Sequence, residues 1–152
     1  MITVLFSGGQ DSTTCLLWAL ARSLRDNKES SWTARQEVQA LSIRDGQRHA
    51  IEMQQADKIC ELLAVTRTEL DVSFLFEGSR SAMLQSGDAP PDGITEGVAP
   101  TFLPGRNGLF IQIAASFAAK TGSNSVVIGV NEVDFSGYPD CRAPFIVAME
   151  QA

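Results

Sequence analysis

Residues 4–16, which read VLFSGGQDSTTCL, decide the fold of this chain. An apolar run over residues 2–6 stops at a Ser-Gly-Gly sequence, and a helical pattern begins at Asp11. Apolar and cysteine positions recur on one side of that helix, at Cys15, Leu16, Ala19 and Leu20. The spacing predicts a strand, a glycine turn and a helix N-terminus in direct succession.

The predicted turn favours binding of an anion. Gly8 and Gly9 can adopt positive φ and carry no Cβ that would hold a phosphate away from the backbone amides. Those amides, the hydroxyls of Ser7 and Ser12 and the unpaired N–H groups of the first helical turn point to one place, where the helix dipole is positive. We therefore interpret the turn as a phosphate site, against the simpler alternative of an ordinary strand-to-helix turn.

Asp11 has two alternative roles at this junction. An acidic side chain is favourable in the first turn of any helix, and a carboxylate here can also hold Mg²⁺ that neutralises phosphate oxygens. No Lys follows the glycines and G-x-G-x-x-G is absent, so neither common glycine-rich loop is present. The pattern Ser-Gly-Gly-x-Asp-Ser at residues 7–12 instead resembles the pyrophosphate loop of ATP-dependent enzymes that adenylate a substrate.

The composition is that of an ordinary soluble globular protein. The 152 residues, 44% hydrophobic and 20% charged, suffice for one domain with a buried core. The net charge of −6 argues against a nucleic-acid surface, which needs a field of Lys and Arg. Without a basic leader or a long apolar segment, we expect neither a signal peptide nor a membrane span. Three widely separated cysteines predict reduced thiols and a cytoplasmic protein.

The first half of the chain alternates predicted strands and helices. A second strand is expected at residues 38–43, a helix over 51–63 and a third strand at 66–72. A polar loop at 25–37 precedes the second strand, and Trp32 is expected to pin this loop to the body of the protein. The β-α-β-α-β order predicts a parallel sheet with right-handed crossovers.

Glycine and proline interrupt the second half. We expect a lid or binding loop over residues 73–105, with a short helix near 79–84. The remaining predicted features are a helix over 106–120 capped by Gly122, a strand at 125–130, a polar loop at 131–142 and a final helix that starts at Pro144. The fold class is therefore α/β, an open Rossmann-like parallel sheet with helices on both faces. Ligands of such sheets collect at the carboxyl ends of the strands, so the loops there should face a common crevice.

Four separated stretches together resemble one enzyme family. They are SGGQDSTTC at residues 7–15, DGQRH at 45–49, PTFLPGRN at 100–107 and GVNEVDFSGYPDCR at 129–142. The first marks only the wide pyrophosphate-loop group, whereas the last, with PGRN before it, is far more specific. On these motifs the chain resembles the 7-cyano-7-deazaguanine synthases over nearly its whole length.

The resemblance implies an ATP-dependent carbon-nitrogen ligase of queuosine biosynthesis with an adenine-nucleotide alpha-hydrolase-like fold. Such an enzyme converts 7-carboxy-7-deazaguanine and ammonia into 7-cyano-7-deazaguanine, using ATP and Mg²⁺. A carboxylate is a poor electrophile, so ATP must activate it before ammonia attacks, and a second activation allows dehydration to the nitrile. The resemblance implies a homodimer, with neither a nucleic acid nor a membrane as partner.

The resemblance also implies three groups of site residues. The ATP-binding group is Phe6, Ser7, Gly8, Gly9, Gln10, Asp11, Ser12, Thr13, Thr14, Cys15 and Leu16. The catalytic group is Asp11, Ser12 and Arg106. The substrate-binding group is His49, Asn107, Asp134, Ser136, Tyr138, Asp140 and Arg142. The backbone of strand two, near residues 41–43, is expected to bind adenine.

Some of these residues have structural alternatives. His49 can be a helix cap or a surface residue instead of a phosphate contact or proton carrier. Arg is electrostatically unfavourable at a helix start, so Arg106 indicates an anionic partner. We expect Asp134 or Asp140 to read a guanine-type edge while Tyr138 stacks or hydrogen-bonds, within a loop that is also a structured turn.

Two departures from the family pattern stand out. Arg44-Asp45 stands where the family has Asp-Tyr, which removes an aromatic side chain and inverts a local charge. Family members also continue beyond the position of Ala152 into a four-cysteine zinc-binding tail, and the cysteines here have no metal spacing. We expect a single ATP-binding domain over residues 1–152, truncated at its C-terminal end, without zinc ligands.

Three hypotheses follow for the activity. The first is the nitrile-forming ligase, or its N-terminal part. The second is a non-catalytic remnant that binds a nucleotide or a deazaguanine, and the absent tail favours it. The third is another pyrophosphate-loop enzyme that amidates or thiolates its substrate, and the motif at residues 129–142 favours the first hypothesis over this one.

Overall fold

The computed structural model describes residues 1–26, 30–46, 50–79, 81, 83–84, 101–130 and 138–152. Its strands are β1 (Ile2–Leu5), β2 (Val38–Arg44), β3 (Thr66–Asp71) and β4 (Ser125–Val127). Its α-helices are α1 (Gln10–Asp26), α2 (Ser31–Gln36), α3 (Ala50–Leu63), α4 (Arg106–Thr121) and α5 (Ala143–Gln151). Short 3-10 helices lie at Ser73–Phe76 and Pro139–Cys141.

The strands form a parallel sheet in the order β3-β2-β1-β4. Leu5 pairs with Leu41 of β2, and Val4 pairs with Val127 of β4, so β1 lies in the middle of the sheet. A central strand flanked by later strands requires crossover connections, which α1, α3 and α4 provide. The predicted α/β class with an open, Rossmann-like parallel sheet is confirmed.

Helices cover both faces of this sheet, as predicted. Alternate side chains of a strand point to opposite faces, which divides the core into two clusters. One cluster joins the sheet to α1 and α3 through Val4, Phe6, Val38, Ala40, Leu16, Ala19, Leu20, Ala56 and Cys60. The other joins it to α4 through Leu5, Leu41, Ile43, Ala114, Phe110, Ile111 and Phe117. The glycine turn and the start of α4 are therefore brought to the same edge of the sheet.

The predicted loop at residues 25–37 was partly wrong, because it contains α2. Ser30 caps this helix by accepting a hydrogen bond from Thr33 N over 3.1 Å, a local interaction that needs no apolar periodicity. Trp32 does not pin the segment to the body, since 61% of the residue is exposed.

The predicted short helix near residues 79–84 was also wrong for the residues described there. The helical turn lies earlier, at Ser73–Phe76, where the Asp71 carboxylate accepts hydrogen bonds from Ser73 N and Ser73 Oγ. The fourth strand ends at Val127, shorter than the predicted 125–130. Most of the irregular stretch before residue 101 lies outside the described residues.

The helices of the second half agree with prediction. The helix α4 begins at Arg106 and ends at a left-handed Gly122, whose N–H donates to Ala118 O. Pro144 is in the first turn of α5, one residue after its start. No helix within the described ranges has the length and apolar character needed to cross a membrane.

Candidate functional site

A cavity of about 140 Å³ lies at the carboxyl edge of the sheet. It is lined by Leu5, Phe6, Ser7, Ser12, Leu41, Ile43, Met53, Arg106, Asn107, Phe110, Ile128, Gly129 and Val130. The lining comes from the ends of β1, β2 and β4 and from the starts of α1 and α4. This is the crevice expected where the loops after these strands meet.

Two serine hydroxyls form the polar end of this cavity. Ser12 Oγ lies 3.1 Å from Ser7 Oγ, and it donates to Gly9 O over 3.1 Å. Ser12 Oγ also accepts a weak bond from Ser7 N over 3.3 Å, and Ser7 Oγ accepts one from Gly9 N over 3.3 Å. The turn is thus held in one conformation by its own hydroxyls at the N-terminus of α1, where the helix dipole is positive.

Gly8 is required in this turn for a reason that sequence analysis did not give. Its φ of +84° is in the left-handed region. A Cβ at this position would lie 2.6 Å from Glu52 O and 2.8 Å from Ala56 N, both in α3. The absence of a side chain at Gly8 therefore lets the backbone of α3 pack against the turn. This requirement is separate from any close approach of a ligand.

Gly129 makes a second close approach that sequence analysis missed. A Cβ here would lie 2.9 Å from Asp11 C and 3.0 Å from Ser12 N. The chain that follows β4 therefore passes directly over the first turn of α1. The available signal was the position of Gly129 inside the predicted strand 125–130, because a glycine within a strand often marks a close approach of another backbone.

Arg106 pairs with an anion supplied by the chain itself. Its Nε lies 2.5 Å from Asp45 Oδ2, with side chains only 18% and 1% exposed. The guanidinium carbon also lies 4.8 Å from the ring centre of Phe110. The unfavourable position of an arginine at the start of α4 is thus offset by a buried carboxylate from the end of β2.

Arg44 and Asp45, the pair that departs from the family pattern, point to different surroundings. Arg44 is the exposed last residue of β2 and contacts Asp71 Oδ2 over 2.6 Å. Hydrogen bonds from Ser73, followed by the bond from Arg44, lower the pKa of Asp71 to about 2. Asp45 instead contacts Arg106, which lines the cavity, and sequence analysis did not predict this contact.

A second, smaller cavity adjoins the first one. It is lined by Met83, Phe102, Leu103, Arg106, Asn107, Tyr138 and Asp140, so Arg106 and Asn107 belong to both cavities. The rings of Phe102 and Tyr138 are 5.5 Å apart and tilted by 40°, and the Tyr138 hydroxyl bonds to Thr101 Oγ1. The volume of this cavity is about 10 Å³, roughly the space of one water molecule.

Asp140 is the unusual group in the second cavity. It is only 7% exposed, and its Oδ2 accepts a long hydrogen bond of 3.3 Å from Asn107 N. Within the described part of the chain, its Oδ1 has no hydrogen-bond partner. A buried carboxylate oxygen without a donor is costly, so this atom indicates a donor that the described residues do not supply.

The residues of the predicted ATP-binding group are together in the turn, but they have different surroundings. Phe6, Ser7 and Ser12 line the cavity, whereas Leu16 is fully buried in the core. Asp11 is exposed in the first turn of α1. The neighbours Gln10, Thr13, Thr14 and Cys15 are in α1 outside the cavity lining.

The substrate-binding group is described only in part. Asn107, Tyr138 and Asp140 meet in the second cavity. Arg142 is exposed at the N-cap of α5, outside the lining of either cavity. His49, Asp134 and Ser136 lie outside the described residues.

The cysteines are free thiols at three separate positions. Burial raises the pKa of the Cys60 thiol to about 11, and burial with the Asp11 charge raises that of Cys15. Cys141 Sγ accepts a hydrogen bond from Asn107 Nδ2 over 3.3 Å. In the part of the chain that the structure describes, His, Cys, Asp and Glu side chains form no group of three suited to a metal ion.

The sheet order, the glycine-serine turn before α1 and the cavity at the carboxyl edge define a Rossmann-like α/β protein. The chain belongs to the family described as queuosine biosynthesis protein QueC, whose sequence model matches residues 1–152. It is 40% identical over 146 residues to the 7-cyano-7-deazaguanine synthase of Lysinibacillus sphaericus (strain C3-41). The matched region covers 96% of this chain and 61% of that relative, so the chain spans about three fifths of the relative's length.

Proposed function

We propose that this chain is an ATP-dependent ligase that converts 7-carboxy-7-deazaguanine and ammonia into 7-cyano-7-deazaguanine in queuosine biosynthesis. The observation that carries the proposal is the pair of adjoining cavities that share Arg106 and Asn107. The larger cavity is lined in part by Ser7 and Ser12 at the start of α1, and the smaller one, of about 10 Å³, is lined in part by Tyr138 and Asp140. A reaction between a nucleotide and a second ligand needs such neighbouring sites.

The larger cavity would hold ATP. The hydroxyls of Ser7 and Ser12 and the amides at the start of α1 would bind phosphate oxygens, as helix N-termini commonly do. Leu41 and Ile43 form an apolar wall for adenine. Leu41 O already accepts a bond from Phe6 N over 2.9 Å. In a parallel ladder Ile43 faces the same side, just beyond the end of β1, where its backbone can meet the base.

Asp11 would hold Mg²⁺ together with the phosphates. It is exposed beside Ser12 in the first turn of α1, and protein-bound Mg²⁺ typically uses one or two carboxylates plus substrate phosphates. The ion would neutralise charge on the phosphate oxygens during transfer. The zinc site of longer family members is not part of this proposal.

The deazaguanine would bind at the smaller cavity, which would have to widen from its volume of about 10 Å³ to admit the base. The Oδ1 of Asp140, which has no hydrogen-bond partner among the residues described, would accept the N–H groups of a guanine-type edge, which is rich in donors. Tyr138 and Phe102 would pack on the flat ring system. His49, Asp134, Ser136 and Arg142 stay in the proposed binding group on the resemblance alone.

The proposed chemistry proceeds through two activations. The substrate carboxylate attacks the α-phosphorus of ATP, releasing pyrophosphate, and ammonia then displaces AMP to give the primary amide. The amide oxygen then attacks the α-phosphorus of a second ATP, releasing pyrophosphate, and the adenylated amide loses AMP and both N–H protons to leave the nitrile. Ser7, Ser12 and Arg106 line the cavity where negative charge would develop at the α-phosphate, and their donors would stabilise it.

We also propose that the chain acts as one ATP-binding domain in the cytoplasm and forms a homodimer. The cytoplasmic location is supported by three cysteines that form no disulfide. Light scattering of the purified chain would test the homodimer.

The test is product analysis with the full 152-residue chain. The purified protein is incubated with ATP, Mg²⁺, ammonia and 7-carboxy-7-deazaguanine, and the deazaguanines, AMP and pyrophosphate are separated by chromatography. The proposal expects the nitrile, with two AMP released for each nitrile formed. Binding of both ligands without any product would instead support the non-catalytic remnant, and turnover of a different acceptor would support another pyrophosphate-loop enzyme.

A further inference from the structure

Asp45 is buried beside Arg106, a residue that lines both cavities, and its carboxylate contacts the guanidinium. Only 1% of its side chain is exposed, and the 2.5 Å contact joins its Oδ2 to the Nε of Arg106. The two residues are 61 positions apart in the sequence. Asp45 directly follows β2, and Arg106 is the first residue of α4. This contact fixes how Arg106 can present its remaining donors.

Two parts of the Arg106 guanidinium, its Nε and one face, are in contact with other side chains. Its Nε is occupied by Asp45, and its plane packs against Phe110 at 4.8 Å. Within the described residues, Nη1 and Nη2 make no hydrogen bond. The edge formed by these two nitrogens is the one that binds carboxylate or phosphate through two parallel hydrogen bonds.

We propose that Asp45 is a positioning residue that holds Arg106 with its Nη1 and Nη2 edge available to the oxyanion of a bound ligand. The inference rests on the proposed function for its ligands, since the oxyanion is either a phosphate of ATP or the carboxylate of 7-carboxy-7-deazaguanine. Arg106 lines both cavities, so either ligand is within the reach of its fork.

The direction in which Asp45→Asn changes the affinity for an oxyanion distinguishes a positioning role from simple charge repulsion. Asp45 is negative, and a negative charge close to an anion site weakens anion binding if it acts only through the field. Replacing it by the neutral isostere Asn would then strengthen binding of the oxyanion. A positioning role predicts the opposite, because Arg106 loses the contact that fixes its orientation.

The experiment is calorimetric binding to Asp45→Asn, Arg106→Gln and the double variant. The ligands are ATP, pyrophosphate, 7-carboxy-7-deazaguanine and the 7-cyano compound, which lacks the carboxylate. We expect each single variant to weaken binding of the oxyanion ligand by about tenfold, the typical scale of a charge-assisted hydrogen bond. The double variant should be no weaker than Arg106→Gln, because both changes remove the same interaction.

The four ligands identify the oxyanion. Weaker binding of ATP and pyrophosphate assigns Arg106 to the phosphates. Weaker binding of the carboxy compound, with the cyano compound unchanged, assigns it to the substrate carboxylate. Asp71→Asn serves as the matched control, because it removes a carboxylate from an arginine pair on the neighbouring strand outside both cavities.

Three results would overturn the proposal. The first is unchanged or tighter binding of the oxyanion ligand by Asp45→Asn, and the second is a loss of affinity in the double variant equal to the product of the two single losses. The third is a loss of affinity in Asp71→Asn as large as that in Asp45→Asn. If Asp45→Asn does not fold, Arg106→Lys tests the same point, because lysine keeps the charge opposite Asp45 but has no fork. Unchanged affinity in Arg106→Lys would also overturn it. The calorimetric assay measures binding only and does not depend on turnover. If both single variants bind the oxyanion ligand more weakly but the wild type forms no nitrile, the proposed reaction is refuted and this inference stands.

Discussion

Gly8 and Ala56 lie so close that no side chain fits between the glycine turn and α3. A Cβ on Gly8 would be 2.8 Å from Ala56 N and 3.2 Å from Ala56 Cα. The loop that forms the polar end of the larger cavity is therefore supported from behind by rigid helical backbone. Its shape depends on packing as well as on its own hydrogen bonds.

Gly8→Ala should destabilise the protein more than any other alanine substitution at a left-handed glycine. The left-handed backbone alone costs an L residue about 1–2 kcal/mol, and overpacking against α3 adds about 1–3 kcal/mol. The matched control is Gly78→Ala, where φ is +79° but nothing lies within 4 Å of the new Cβ. Urea unfolding of both variants measures the difference, and equal losses would contradict the packing account.

Asp140→Asn should weaken binding of the deazaguanine and leave ATP binding unchanged. Asn keeps an acceptor for Asn107 N but replaces the other oxygen with a donor, which cannot meet the N–H groups of the ligand. The loss of a charged hydrogen bond, about 1.5–3 kcal/mol, corresponds to a rise in KM of about tenfold to a hundredfold. Steady-state kinetics with each substrate varied in turn checks this. An equal rise in the KM for ATP would place Asp140 outside the base site.

Asp11→Ala should abolish turnover in a protein that remains folded. Asp11 is exposed, so its removal costs only about 0.3–1 kcal/mol of helix-dipole stabilisation. Loss of a magnesium ligand should lower kcat by on the order of a hundredfold or more. Asp26→Ala, at the other end of α1, is the control with the same substitution. Full activity of Asp11→Ala would show the magnesium assignment to be wrong.

Acid should remove the stabilisation that Asp71 gives to the turn after β3. The folded pKa of about 2 lies below the ordinary value of 3.8, so the ionised carboxylate stabilises the folded state above pH 3.8. That contribution is lost as the pH falls from about 4 to about 2. The difference in free energy of unfolding between wild type and Asp71→Asn should shrink over this window. A difference that stays constant with pH would contradict the lowered pKa.

Cys60 should resist alkylation until the protein unfolds. It is a residue of α3 that faces the core with 3% of its surface exposed, and its pKa of about 11 keeps it protonated at pH 8.5. The thiolate is the reactive form, so iodoacetamide should label Cys60 slowly in the native protein and rapidly in concentrated urea. Mass spectrometry of the labelled peptides measures both rates. Similar native rates at Cys60 and at the less buried Cys15 would contradict this.

Local patterns predicted the elements of this fold that are long or bounded by glycine. The order of the first three strands, the glycine turn and the left-handed cap at Gly122 all followed from periodicity and backbone freedom. The helix α2 was missed because it is only 6 residues long and buries only Ala34. Its cap, Ser30 with Thr33, is a local signal that could have revealed it.

The candidate site was predictable where one motif contained it and unpredictable where distant residues meet. Ser7 and Ser12 are close in sequence and share one turn, so their proximity followed from the turn itself. The contact of Arg106 with Asp45 spans 61 positions, and no periodicity links the ends of different elements. The orphaned oxygen of Asp140 depends on burial by several segments, which the chain order alone does not specify.

The central position of β1 has a consequence for synthesis on the ribosome. One edge of β1 can pair as soon as β2 has emerged, but its other edge pairs with Ser125–Val127, made about 120 positions later. The hydroxyls of Thr3 and Ser123, 2.9 Å apart, also join only at that stage. A nascent chain that ends before residue 125 therefore presents an unpaired apolar strand, the kind of edge that chaperones must shield from other chains.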